Sequence, residues 1–147
     1  MMNIQKKTVS ITALGVAVAA ALLLSASHIQ AGSVGEALYL QHCSMCHQPD
    51  GKGVIGFFPP LAGNPRVTSE EPEKVQEFLR RIIFGYHGGL IVNKQVYSGR
   101  MPPIGYVGRI NDSGLQNLIN YQRTAWGNNA RPITFAELAK ARKMGSP

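Results

Sequence analysis

Residues 41–51 read QHCSMCHQPDG, and Cys43 and Cys46 in this stretch are the only two cysteines among 147 residues. Two residues separate them, and His47 follows the second directly. Thiols so spaced form a redox dithiol or disulfide, half of a zinc site, or, together with the histidine, an attachment point for a prosthetic group. A redox dithiol expects a strand before it and a βαβ setting after it, whereas VGEALYLQ ahead of Cys43 is spaced as a helix and QPDGKG behind it as a loop. As a structural clamp the pair would close a very small ring and stabilise little. A structural zinc site needs four ligands. No second pair of Cys or His stands at ligand spacing, since His28, His42 and His87 are scattered.

The compartment is read from the N-terminus. In MMNIQKKTVSITALGVAVAAALLLSASHIQAGS, Lys6 and Lys7 precede an apolar run from Val9 to Leu24, and small residues follow up to Ala31 and Gly32. A positive start, a short apolar core and a small residue at the cut describe an export signal. The expected division is a signal over 1–31, retained as an anchor in the alternative, and one domain over 32–147 with a C-terminal extension from about 128. Either way the domain lies outside the cytoplasm, in the periplasm. Lys6 and Lys7 are two of the fifteen basic residues, so 32–147 carries thirteen against eight acids, a net +5. The basic residues are dispersed, which disfavours nucleic acid and points to an acidic protein partner. A membrane contact is expected only if the N-terminal segment is retained.

Outward from the cysteines, the pattern predicts four helices and much loop. The first runs from about Val34 into the cysteines. The glycine- and proline-rich QPDGKGVIGFFPPLAGNP admits no regular element. In TSEEPEKVQEFLRRIIFG, Val75, Phe78, Leu79, Ile82 and Ile83 form one apolar helical face, with a capping box from Thr68 and Glu71, Pro72 in the first turn and Gly85 as the stop. Leu90–Val92 and Gln95–Tyr97 read as a hairpin turning at Asn93-Lys94. A last core helix spans about Asp112 to Trp126, and Thr134 with Glu137 caps a short terminal helix.

Short helices joined by long loops bury little apolar area for a chain of this size, and such domains are completed by a disulfide, a metal or a cofactor. Haem satisfies this need with every letter of CSMCH: two thiols bond its two vinyl groups, and the next histidine lies under the iron. With that motif on the page, the mature chain resembles a class I, single-haem cytochrome c. Gly35, Tyr39 and Cys43 stand four apart as in that family, Leu118 and Tyr121 match its last helix, and Pro60, Leu61 and Gly63 match the segment after the motif.

The resemblance implies an all-α class I fold around one covalent haem c. It makes Cys43 and Cys46 the thioether residues, His47 and Met101 (in GRMPP) the axial ligands, and a carbonyl at Pro60 the acceptor for the histidine ring N–H. Among the five methionines, Met101 alone is placed to reach the far side of a ring held at His47, and Pro102 and Pro103 stiffen its loop. His87 is its rival. Tyr97, Arg100 and Trp126 are candidates for the haem propionates. Phe57, Phe58, Ile104 and Tyr106 are candidates for the pocket wall, and Lys52, Lys94, Arg100 and Arg109 for the docking rim.

With both axial positions filled, the expected role is electron carriage rather than catalysis. VYSGRMPP, YQRTAWGN and PITFAELAKAR are similar to cytochrome subunits or domains serving periplasmic dehydrogenases and nitrite reductases. The expected electron partner is a periplasmic oxidoreductase or respiratory chain; the alternatives are a dedicated subunit of a dehydrogenase or reductase complex and, if Met101 is easily displaced, a ligand-binding sensor or a peroxidase-like haem protein.

Overall fold

The computed structural model describes residues 34–147, so the expected export signal over 1–31 and its expected cut lie outside the described residues. Among those residues there are seven helices and one two-stranded sheet. The first helix, α1, covers 34–42 and leads through Cys43 into one further turn, α2 (Ser44–His47). The irregular segment expected after His47 is present, relieved only by an isolated bridge between Val54 and Phe58. It ends in α3 (Pro65–Thr68), whose N-cap Asn64 accepts from Arg66 N.

The strongest periodic signal gives α4 (Pro72–Phe84), with the five apolar positions of its stripe all buried. Its start differs from the capping box expected from Thr68 and Glu71. Thr68 belongs to α3 and donates to Asn64 O, while Glu71 caps α4 without a side-chain bond. The short helix α3 takes up the threonine that the longer helix would have used. Gly85 stops α4 at φ 78°, a left-handed conformation that glycine adopts without steric cost.

Strands β1 (Leu90–Val92) and β2 (Gln95–Tyr97) pair antiparallel with Leu90 opposite Tyr97. Asn93 and Lys94 make the turn at φ 49° and 65°, so lysine occupies a left-handed position usually given to glycine. One turn of helix, α5 (Ile104–Val107), precedes α6 (Asp112–Thr124), capped by Asn111 on Gly114 N. The terminal helix α7 (Phe135–Met144) carries the complete capping box of Thr134 and Glu137.

The core sits where α1, α4, α6 and α7 meet, around Tyr39, Leu79, Ile83, Leu115, Leu118, Ile119, Ile133 and Leu138, none more than 1% exposed. A Cβ on Gly35 would lie 2.3 Å from Asn117 O and 2.7 Å from Tyr121 Cβ, so the α1–α6 crossing requires a residue with no side chain. One turn along α1, the Tyr39 ring lies 5.6 Å from that of Tyr121 and 4.7 Å from that of Trp126. This crossing fixes the direction in which α1 delivers the cysteines.

Candidate functional site

Cys43 and Cys46 are not joined by a disulfide. Cys43 is buried and receives a hydrogen bond from Gln122 Nε2 of α6 at 3.6 Å. Burial pushes its thiol up to about 12; the Gln122 bond opposes this and the neighbouring Cys46 adds to it.

His47, also buried, has Nδ1 2.9 Å from the carbonyl of Pro59. Burial lowers the pKa of the ring, and the bond to Pro59 opposes the shift. With the Nδ1 proton committed, Nε2 keeps its lone pair for a ligand bond. The partner is Pro59 and not Pro60, as the sequence had suggested. The Pro60 carbonyl instead accepts from Asn64 Nδ2 at 2.7 Å, which anchors the N-cap of α3. The Asn64 side chain takes the Pro60 carbonyl, and the Pro59 carbonyl accepts from the histidine.

A cavity of about 790 Å³ is lined by Cys43, His47, Pro59 and Leu61 on one side and by Phe78, Ile82, β1 and Met101 on others. Met101 reaches it from a strap held by two backbone bonds, Met101 N to Tyr86 O at 2.8 Å and Tyr86 N to Met101 O at 3.0 Å. A Cβ on Gly85 would come within 2.6 Å of Met101 O, so the glycine that ends α4 also lets the methionine segment approach. Residues 54 positions apart in sequence thus line one cavity.

Other expected residues lie elsewhere. Trp126 donates from Nε1 to Pro49 O at 3.1 Å, away from the cavity. Tyr97 is buried beneath the hairpin and Arg100 is exposed, and neither lines the cavity. Of the proposed wall, Phe57 and Tyr106 face solvent, Ile104 sits in the core, and Phe58 lies beside Gly99. The wall is built instead by the apolar stripe of α4 and by β1, because that stripe is wide enough to serve core and cavity together. His87 is exposed and, with Arg100, lines a surface groove that shares Met101 with the cavity.

The walls suit haem. They present the apolar side chains of Leu61, Phe78, Ile82 and β1, and they hold the Cys43 thiol and the His47 ring, with Cys46 one helical turn from Cys43 and outside the lining. Comparison with known proteins agrees. The family model for Cytochrome c matches residues 33–126. This chain belongs to the cytochrome c family. It carries covalently bound haem c as an electron-transfer domain.

As a cytochrome c, the chain is similar to the cytochrome c subunit of quinone alcohol dehydrogenase from Gluconobacter oxydans. Identity is 33% over 119 residues, covering 79% of this chain and 23% of that subunit. It is also similar to cytochrome c-552 of Thermus thermophilus, 29% identical over 127 residues with 83% of each chain covered. The gluconate 2-dehydrogenase cytochrome c subunit of Pantoea cypripedii is 30% identical over 112 residues, 74% of this chain and 24% of that one. The chain therefore spans under a quarter of the length of the dehydrogenase subunits it matches.

Two features escaped the sequence reading. Arg123 is fully buried, with its guanidinium donating to the carbonyls of Val67, Ser69 and Arg131. Asn128 is buried and ties α6 to the loop beneath the cavity. Neither lies in a local motif; a polar residue on or just beyond the apolar face of α6 was the available signal.

Proposed function

We propose that Cys43 and Cys46 form the thioether bonds to haem, and that His47 and Met101 are its axial ligands in a low-spin electron-transfer site. The observation that carries this reading is that Cys43, His47 and Met101 line a single cavity although Met101 is remote in sequence. Bound haem supplies a one-electron redox couple and needs no substrate to be bonded or released.

The chain's residues govern that couple. The Pro59 carbonyl holds the His47 ring in one tautomer and raises its basicity as a ligand. The bonds between Tyr86 and Met101 hold the backbone that presents the methionine, which limits rearrangement on a change of charge. Methionine opposite histidine favours the reduced form and raises the potential. Leu61, Phe78 and Ile82 exclude water from the interior of the site.

The domain is exported to the periplasm and exchanges electrons with an oxidoreductase there, as carrier or as dedicated subunit. Support comes from the Lys6–Ala31 segment, from the similarity to dehydrogenase cytochrome subunits, and from the net +5 of 32–147, suited to an acidic docking face. No helix among the described residues is long and apolar enough to cross a membrane. Lys52, Lys94, Arg100 and Arg109 are exposed and are the cations assigned to docking.

Visible spectra of oxidised and reduced protein, matured with haem, test the site. The expected result is a low-spin spectrum with the weak far-red band of a sulfur–iron bond, unchanged by carbon monoxide. A high-spin spectrum or ready carbon monoxide binding would remove Met101 from the iron and support the ligand-binding alternative.

A further inference from the structure

The hairpin has two unlike faces. Side chains alternate along a strand, so Val92 and Tyr97 are buried while Ile91 and Val96, paired across the strands, are 62% and 55% exposed. Just beyond β2, Ser98 donates from N and from Oγ to Gly56 O at 3.1 and 3.2 Å, and Gly99 N donates to Phe57 O at 2.8 Å. A Cβ on Gly99 would lie 2.4 Å from Phe57 O, so the two backbones meet as closely as they can. The loop fastened in this way holds Ile55 and Phe57 out to solvent, 78% and 60% exposed. Two pairs of large apolar side chains, from segments joined across 42 positions of sequence, thus share one patch of surface. Single exposed apolar residues are ordinary, but a contiguous patch marks an interaction site.

Charge says what fits it. Lys94 at the hairpin turn and Arg100 beyond β2 are exposed and have no ion-pair partner among the described residues. The segments that build the patch, 51–69 and 78–111, contain no Asp or Glu. Asp50, which precedes the loop, is paired with Lys52 at 3.1 Å, and Glu71 and Glu77 on the α4 side of the cavity are paired with Lys74, Arg66 and Arg81. The patch also abuts the cavity, since Ile91 lines it and Arg100 lines the groove that shares Met101 with it. We infer that an acidic redox protein docks here, its carboxylates on Lys94 and Arg100 and its apolar centre on Ile55, Phe57, Ile91 and Val96. The inference rests on the cavity being the haem site. A second copy of the chain would set cation against cation, and a lipid surface presents no redox protein at the cavity mouth. Electron-transfer encounters use small, transient interfaces, for which four apolar residues between two cations suffice. Lys140 and Lys143 are exposed as well, but α7, which carries them, contributes nothing to the cavity wall.

The test follows reduction of the ferric, haem-loaded protein by the hydroquinone of a flavodoxin, an acidic redox protein, in stopped flow at low and high salt. One electron leaves the flavin hydroquinone, which becomes the semiquinone, and reduces ferric iron to ferrous; no bond is made or broken. Lys94→Glu and Arg100→Glu are each expected to slow the second-order rate on the order of fivefold at low salt, an effect that high salt screens. Lys140→Glu makes the same change in net charge on α7 and should alter the rate by less than about twofold. Phe57→Ser combined with Val96→Ser changes no charge and should slow transfer about threefold at both salt concentrations. Rates are compared between proteins that keep the parent's visible spectrum; if Arg100→Glu disturbs the neighbouring Met101, Lys94→Glu decides alone. Equal slowing by Lys140→Glu and Lys94→Glu overturns the inference, as do parent rates in Lys94→Glu and the double serine variant. Binding to phosphatidylglycerol vesicles that these substitutions abolish, with transfer rates unchanged, gives the face to a membrane and overturns it too. A parent protein without a low-spin haem spectrum fails before any partner is added, which overturns the haem site and the inference with it.

Discussion

Met101 is held at its backbone by the bridge to Tyr86, so deleting its sulfur should leave the strap in place and vacate one axial position. Met101→Ala is expected to lose the far-red band, to bind carbon monoxide when reduced, and to lower the midpoint, because the soft thioether that favours the reduced form is gone. Optical titration under carbon monoxide checks this, and an unchanged spectrum would require another ligand. Asn128 is the structural counterpart. Its side chain accepts from Gly63 N at 2.9 Å and donates to Leu61 O at 3.0 Å and to Gln122 O at 2.7 Å. Asn128→Ala leaves buried backbone groups unpaired and should cost about 3 kcal/mol, read from urea unfolding followed by the haem absorbance. The two residues differ in legibility. Met101, proposed as a ligand, was singled out by its proline neighbours and by elimination among five methionines, whereas the partners of Asn128 at Gly63 and Leu61 lie 65 and 67 positions away.

At the scale of elements, local chemistry was readable wherever it stayed local. The apolar stripe of α4, the Asn-Lys hairpin and the Thr134–Glu137 box all appear as their residues suggest. The Thr68–Glu71 box does not, because α3 uses Thr68, and four-residue helices such as α3 and α5 are too short to show a period. The α1–α6 crossing gives a prediction at this scale. With Asn117 O 2.3 Å from a Cβ on Gly35, Gly35→Val forces the helices apart and should destabilise by about 1–3 kcal/mol. A thermal melt showing no loss would mean that the helices can slide without cost. The cap of α7 gives another. Arg131 bonds the Glu137 carboxylate and holds its pKa down from 4.5 to about 2, with Thr134 assisting. A depressed carboxylate contributes stability that is complete above about 4.5 and is lost as pH falls toward 2. After solvent screening this is about 1 kcal/mol. Glu137→Gln should be less stable than the parent at pH 7 and equal to it near pH 2, as measured by denaturant unfolding.

Across the whole molecule, residues beyond the matched family segment 33–126 complete the core. Ile133, Leu138 and Ala141 are at most 1% exposed and belong to the same cluster as Leu79, Ile83 and Leu118. Gln76 Nε2 of α4 donates to Glu137 O, Gln116 Nε2 of α6 donates to Ile133 O, and Arg123 reaches across to Arg131 O. A ten-residue helix with one acidic and three basic residues carries no sign in sequence of what lies beneath it. Its apolar side covers the face of α4 turned away from the haem cavity. The two faces of α4 can therefore be tested separately. Leu138→Ala should cost about 2–5 kcal/mol, seen as a lower midpoint in urea, while the visible spectrum and the reduction potential stay at parent values because Leu138 is absent from the cavity wall. A shift in the spectrum of the folded variant would show that the tail supports the haem through α4. An unchanged urea midpoint would mean that the tail contributes little to the fold and that its exposed residues, Phe135 and Met144 among them, matter through a partner instead.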